Sequence, residues 1–232
     1  MKFTVSIDSE KLRNLTDFVQ VVQVDNGRTS EYEMSLDNFL KIVAKSSEAG
    51  QESPWLPRNC IKYVSRGFGY EVYLDIPKQQ WEIEYANTKL KVGFPRLVFQ
   101  YSLRSCTSDK KSFYQVELKK IFAVKGNKKI RENTMLYKFP YSNVYDDGSV
   151  CMGTNAFPNI TCISDLESLH SLFIHSPFTG DYGAKTTLKK KLWELFTEIF
   201  NEKDFDDNVL IPMDKTLGML LGLETIKNSE EN

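Results

Sequence analysis

The sequence predicts an α+β fold, and three observations carry that reading. Short segments rich in Val, Ile, Tyr and Phe fill the middle of the chain. A long irregular loop follows them, and helical spacing of apolar residues returns only beyond that loop. Strands followed by helices, rather than strict alternation, is the order of an antiparallel sheet with its helices segregated.

The elements can be justified in order. Residues 1–30 alternate loosely, with Phe18–Val24 reading as a strand and Asp25-Asn-Gly27 as a turn. Ser35 has the character of an N-cap, with Leu36, Phe39, Leu40 and Val43 behind it at helical spacing. Residues 46–59 are polar and contain proline, and read as a linker or long loop. Strand candidates follow at Cys60–Ser65, Tyr70–Ile76, Gln80–Tyr85, Leu97–Ser102 and Phe113–Val124. Breaks containing Gly, Pro, Asn or Lys separate them, which indicates an antiparallel meander. Thr134–Phe139 adds a short strand, and an irregular segment runs from Pro140 to about Pro158. Ser164 then reads as the N-cap of a helix bearing Leu166, Leu169, Leu172 and Phe173, ended by Ser176-Pro-Phe-Thr-Gly180. A second helix is expected over about 186–202, with Leu188, Leu192, Leu195, Phe196 and Ile199 on one face. The polar end, Lys227–Asn232, is expected to fray. The domain reading is an N-terminal α/β extension over 1–55, a core over 56–205 and a C-terminal segment and tail over 206–232.

Composition narrows the function. A net charge of -1, from 30 basic and 31 acidic residues, gives no bulk attraction to polyanions. No apolar run is long enough for a signal peptide or a membrane span, so a cytoplasmic protein with no membrane partner is the expectation. The four cysteines, Cys60, Cys106, Cys151 and Cys162, form no CxxC pair, so neither a zinc site nor another metal site is expected. His170 and His175 lie five apart, off the helical spacing that lets two histidines share a metal. Gly180-Asp-Tyr-Gly-Ala-Lys-Thr-Thr187 imitates a phosphate loop, but a helix precedes it and Ala184 separates Gly183 from Lys185. The basic stretch Lys119–Arg131 reads as a solvated strand pair, and nucleic acid is not expected as a partner.

The chemistry concentrates in Lys138–Gly153. Asp146-Asp-Gly148 is a turn signal that reverses the chain between Val144-Tyr145 and Ser149-Val150. The reversal brings Cys151 near Asn143, eight residues earlier. A cysteine can take an acyl group from one thioester and pass it to an amine, because sulfur is both nucleophile and leaving group. The Asn143 amide either donates to the oxyanion that forms, worth about 3 kcal/mol in a favourable site, or braces the loop. Asp146 and Asp147 read as turn formers, with one of them able to face an incoming lysine. Tyr141 and Tyr145 read as packing residues, with Tyr141 also a candidate for lining the acyl site. Cys60, Cys106 and Cys162 read as small buried hydrophobes. No cofactor is required for this step.

Asn143-Val-Tyr-Asp-Asp-Gly-Ser-Val-Cys151 resembles the active-site signature of ubiquitin-conjugating enzymes, in which a His-Pro-Asn triplet precedes the catalytic cysteine by the same interval. The resemblance covers about 60–200 and implies the fold of those enzymes: an antiparallel meander, an active-site loop and C-terminal helices. Pro140, Asn143, Val144, Tyr145, Asp147, Gly148, Val150, Cys151 and Gly153 match more narrowly the pattern of prokaryotic family D of that superfamily, the PRTRC system protein B family. Phe94-Pro-Arg-Leu-Val-Phe99 and Ser176-Pro-Phe-Thr179 are similar to it as well. Tyr141-Ser142 stands where the parent signature has His-Pro. The resemblance implies that a ubiquitin-like protein is carried as a thioester on Cys151. It also implies a plasmid or mobile-element cassette with a ThiF-like activating enzyme and a JAB-type peptidase. Asp181 then corresponds to the loop that faces an acceptor amine in such enzymes. The competing readings are a non-catalytic module that binds a ubiquitin-like protein and a plasmid-maintenance adaptor.

Overall fold

A computed structural model describes residues 2–8, 10, 14, 16–25, 27–46, 53–66, 69–108, 111–153, 155–180 and 183–222. The chain divides into two compact units, Met1–Ser53 and Pro54–Asn232.

The first unit holds β1 (Lys2–Ser6), β2 (Phe18–Asp25), β3 (Arg28–Ser35) and α1 (Leu36–Ser46). The strands form an antiparallel sheet in the order β1-β2-β3. Strand β3 escapes a sequence reading because Arg-Thr-Ser-Glu-Tyr-Glu lacks an apolar alternation. It exists because β2 offers a full edge, paired from Phe18↔Ser35 to Asp25↔Arg28, with Gly27 at φ 79° in the turn. The Ser35 hydroxyl accepts from the Asn38 N–H at 3.3 Å, which makes it the cap of α1.

The second unit is mostly antiparallel sheet with a few short helices. Its strands are β4 (Cys60–Arg66), β5 (Gly69–Ile76), β6 (Gln79–Tyr85), β7 (Thr88–Phe94), β8 (Arg96–Ser108), β9 (Lys111–Val124), β10 (Met135–Tyr137) and β11 (Pro212–Thr216). Six of them form one sheet in the order β11-β10-β9-β8-β5-β4, and β6 and β7 make a separate hairpin. Strand β11 closes the sheet beside β10, so residues 212–216 pair within it.

Period-two alternation explains why the central strands read as almost unbroken apolar runs. Val72, Leu74, Ile76, Leu97, Phe99, Ile121 and Ala123 face the larger core. Tyr73, Val98, Phe122 and Val124, one residue out of phase, face a second cluster with Ile130, Leu136 and Leu217. Arg96 ties three segments together. Its guanidinium donates to both Asp75 carboxylate oxygens at 2.8 and 2.6 Å, and to the Lys128 carbonyl at 2.6 Å.

Several expectations need correction. Strand β7 is not among the sequence-predicted strands, although Leu90, Val92 and Phe94 alternate with Lys89, Lys91 and Gly93. Ala86 and Asn87, at φ 49° and 62°, form the two-residue turn that joins it to β6. The helix expected over 186–202 is not continuous. Thr186 makes a strand-like bridge with Leu210, Lys189 sits at φ 54°, and helix begins only at α3 (Leu192–Glu194). It continues as a π-helical turn over Leu195–Ile199. The helix expected from Ser164 begins instead as a 3-10 turn over Ile163–Ser168, followed by α2 (His170–Ile174). Leu166, Phe173, Leu192, Leu195 and Phe196 are buried as expected, Leu169 and Ile199 are partly buried, and Leu172 and Leu188 are exposed. Packing satisfies the faces while the backbone departs from α geometry, because local propensity yields to tertiary contacts. A last turn, α4 (Leu217–Leu220), places Leu217 in the second cluster.

Gly93 marks a close backbone approach. A β-carbon there would lie 2.3 Å from the Lys203 carbonyl oxygen and 2.7 Å from the Phe205 nitrogen. The Gly93 N–H also donates to the Phe200 carbonyl at 3.0 Å. Gly93→Ala is expected to destabilise the second unit by about 1–3 kcal/mol, because backbone rather than a movable side chain must give way. A urea midpoint equal to that of the unchanged protein would contradict this.

Candidate active site

The loop Pro140–Cys151 is built on the outer edge of β9. The Ile121 N–H donates to the Gly148 carbonyl at 2.9 Å, and the Val150 N–H donates to the Lys119 carbonyl at 3.1 Å. The reversal predicted at Asp146-Asp-Gly148 closes above this edge. The Tyr145 N–H donates to the Ser149 carbonyl at 2.8 Å, and the Gly148 N–H donates to the Tyr145 carbonyl at 3.0 Å. Val144 and Val150 form an antiparallel bridge. One step further out, the Cys151 N–H donates to the Asn143 carbonyl at 2.9 Å. The two ends of the motif are therefore joined by the backbone.

Gly148 and Asn143 are placed by conformation. Gly148 is buried at φ 86°, and a β-carbon on it would lie 2.4 Å from the Phe122 ring. Asn143 sits at φ 68°, a left-handed conformation that asparagine tolerates better than most residues. Its side-chain amide donates to the Pro177 carbonyl at 2.9 Å, and the residue is buried. That bond joins the loop to the Ser176-Pro-Phe-Thr segment, so one amide proton is committed to bracing.

Asp147 holds the turn. Its carboxylate accepts from the Ser149 N–H at 2.9 Å and from the Ser149 hydroxyl at 2.7 Å, with the Lys120 ammonium at 3.2 Å. The Ser149 bonds, backbone first, pull the acid down to about 2, with Lys120 adding to them. Asp146 instead pairs with Lys138 at 2.5 Å.

Tyr141 is fully buried. Its ring meets Phe94 and Phe196 edge-on, each with centroids 4.8 Å away, and its hydroxyl donates to the Gly93 carbonyl. Burial pushes that phenol well above its ordinary range. A side chain so placed packs the base of the loop rather than its exposed face. Ser142 is equally buried, and its hydroxyl has no hydrogen-bond partner among the described residues. Tyr145 is exposed. Asp181 lies outside the described residues.

Lys185 belongs to this site, although the sequence presents it only as part of a false phosphate loop. Its N–H donates to the Pro140 carbonyl at 2.8 Å, and its ammonium donates to the Val144 carbonyl at 2.7 Å. Burial pulls its basicity down, Asp146 opposes that shift, and Lys138 adds to it. No spacing rule links Lys185 to Val144, and only the return of the chain does so.

The thiol of Cys151 is half-buried, as are those of Cys60, Cys106 and Cys162. What separates them is setting. Cys60 donates to the Lys62 carbonyl, and burial raises its thiol. The Cys162 sulfur accepts from the Ser164 hydroxyl at 2.9 Å. Cys151 alone follows the braced loop. His170 packs edge-on against Trp81 and Phe99, and His175 against Trp81.

Two outcomes follow from this geometry. Asn143→Ala and Asn143→Gly both lose the bond to Pro177, but only alanine strains the left-handed backbone. Urea denaturation is expected to show alanine as the worse by about 1 kcal/mol, and equal losses would contradict the backbone assignment. Asp147 has a folded-state acidity below its unfolded value of about 4. Its contribution is therefore present above pH 4 and lost as pH falls toward 2. The stability gap between the unchanged protein and Asp147→Ala should narrow across that window, and a gap independent of pH would refute the assignment.

Among the described residues, no helix is long and apolar enough to cross a membrane. Searches of curated proteins and of solved structures return no match. Residues 35–213 match the family described as prokaryotic E2 family D, and the chain belongs to that family.

Proposed function

We propose that this chain is a bacterial ubiquitin-conjugating-enzyme-like acyl carrier that holds a ubiquitin-like C-terminus as a thioester on Cys151. The observation that carries the reading is the backbone bond from Cys151 to Asn143 in a chain of this family. It presents a half-buried thiol at the end of a loop anchored to β9, to Pro177 and to Lys185. A rigid platform suits a transfer step, because much of the barrier in such reactions is orientation.

In the loading step the Cys151 sulfur attacks the carbonyl carbon of a donor thioester. The new S–C bond forms as the old one breaks, and the departing sulfur keeps the bonding pair and receives the proton that Cys151 gives up. In the transfer step an amine attacks the same carbon, an amide forms, and Cys151 leaves with the amine's proton. Asn143 steadies the loop through Pro177, and its second amide proton is the candidate donor to the oxyanion. Tyr141, Asp147 and Lys185 keep the loop in place. Asp181 is the candidate for the acceptor side. The expected partners are a ThiF-like activating enzyme and a ubiquitin-like protein, in a PRTRC-type cassette that also carries a JAB-type peptidase. The expected setting is the cytoplasm, where ATP is spent on the activating enzyme and no cofactor is needed here.

The test is to incubate the chain with its neighbouring ThiF-like and ubiquitin-like proteins and ATP. A reductant-sensitive adduct is expected. It should become reductant-resistant in Cys151→Ser, where an ester forms, and vanish in Cys151→Ala. Tight binding of the ubiquitin-like protein with no adduct would mark a non-catalytic adaptor and overturn the reading.

A further inference from the structure

A cavity of about 460 Å³ opens beside the loop that joins β9 to β10. That volume lies within the range of small-ligand pockets, about 300–1,000 Å³. Its lining includes Arg96, Lys125, Lys128, Lys129 and Arg131, and no aspartate or glutamate. The five are not equivalent. Arg96 is answered by Asp75, whose two carboxylate oxygens accept from it at 2.8 and 2.6 Å. Lys125 lies over the Tyr137 ring, 4.8 Å from its centroid, and meets no carboxylate among the described residues. Lys128, Lys129 and Arg131 are exposed and make no ion pair among the described residues. Elsewhere in this unit Lys78, Lys119, Lys120, Lys138 and Lys190 each meet a carboxylate within 3.2 Å. Four unanswered cations thus share one cavity in a chain whose formal net charge is -1.

The loop around the cavity is held from several sides. The Arg96 guanidinium donates to the carbonyls of Gly126 and Lys128, at 3.2 and 2.6 Å. The Arg131 N–H donates to the Thr134 hydroxyl at 2.8 Å, and the Thr134 N–H donates back to the Arg131 carbonyl at 3.0 Å. From α4, the Leu217 and Gly218 N–H groups donate to the Thr134 and Glu132 carbonyls, at 2.9 and 2.7 Å. Ile130 is buried in the second cluster. A concavity fixed in this way loses little freedom when a ligand enters. Among the described residues, the N–H groups of Lys128, Lys129 and Asn133 take no partner, so backbone donors stand beside the cations. The acids around the loop do not cancel its charge. Asp207 reaches the Gly126 N–H at 3.0 Å but is shared with Lys78 at 3.1 Å, and Glu132 is exposed outside the lining.

We propose that this cavity binds an oligophosphate, a short row of linked phosphates, either free or as the phosphate chain of a nucleotide. The proposal neither uses nor needs the acyl chemistry at Cys151. Phosphate as the ligand follows from the donors, since lysine and arginine beside unused N–H groups are what hold phosphate oxygens. The number of phosphates follows from charge. One phosphate group brings about -1.5 to -2, which leaves half of four cations unanswered, whereas a short row of phosphates matches them. Compactness follows from shape. A nucleic-acid strand carries one phosphate per about 3.4 Å and needs a basic track to follow. Here the cations surround a single cavity, with Asp75 and Asp207 bonded to Arg96 and Gly126 at its margin.

The test is isothermal titration calorimetry of the whole chain with inorganic triphosphate at low ionic strength. Saturable binding is expected, weakened by added salt and about tenfold weaker after Lys128→Gln with Lys129→Gln. Arg131→Gln should weaken it as well. Lys89→Gln with Lys91→Gln, two exposed lysines of β7, should leave the affinity unchanged. All these changes fall on exposed side chains, and urea midpoints equal to that of the unchanged protein would assign the loss to the missing charges. ATP binding more tightly than triphosphate would support the cavity with a nucleotide as its ligand, and equal affinities would support it with a free oligophosphate. No saturable binding, or equal losses in the loop and β7 variants, would overturn the proposal. So would tighter binding of single-stranded oligothymidine than of triphosphate, because the surface would then follow a nucleic-acid strand.

Discussion

A sheet edge must dispose of its backbone groups, and the outer edge of β9 does so with the segments on either side of Cys151. Buried N–H and C=O groups are costly when unpaired. The loop before Cys151 answers that need, since Gly148 and Val150 supply partners to Ile121 and Lys119. Ile160 supplies them to Tyr114. The cysteine stands where the chain leaves the edge between those two docking points. Its position is thus a consequence of sheet pairing, and the loop's polar anchors refine a placement that the backbone has already made.

The second support is aromatic. Tyr141, Phe94, Phe139, Phe178, Phe196 and Phe205 meet in edge-on and tilted contacts at the base of the loop. Such pairs add to simple burial. The Tyr141-Ser142 pair, which departs from the His-Pro of the parent signature, therefore keeps a structural logic. The tyrosine ring fills the floor, and its hydroxyl reaches the Gly93 carbonyl. Gly93 is in turn pressed against the backbone at Lys203 and Phe205. The base of the site is a continuous contact from β7 through the loop to the C-terminal segments.

Charge has a smaller role. Lys138 with Asp146 and Lys120 with Asp147 flank the turn, and both carboxylates are well exposed, which limits what each pair contributes. The Ser149 bonds to Asp147 are local and set the turn's shape. Lys185 differs, because its half-buried ammonium meets a carbonyl inside the site. Its bonds fix the loop from the far side, as the Asn143 amide does through Pro177.

Much of this was written in local sequence. The Asp-Asp-Gly turn, the interval from Asn143 to Cys151 and the apolar runs of the central strands all follow from short-range rules. Turn chemistry and side-chain alternation act over a few residues, so they can be read without the fold. Strand β3 could not be read so, because its pairing with β2 and not its own composition makes it a strand. Strand β7 carried a legible alternation that its lysines obscured. The broken helix over 186–202 shows the opposite failure: Leu192, Leu195 and Phe196 are buried on an incorrect backbone, while Leu188 is exposed and Thr186 spends its backbone on Leu210. The partners of Asn143, Tyr141 and Lys185 lie 34, 48 and 41 residues away. No local pattern encodes such distances. The sequence alone names the cysteine and the turn that leads to it. Tertiary structure decides what braces that turn, because the bracing depends on where distant backbone groups find their hydrogen bonds.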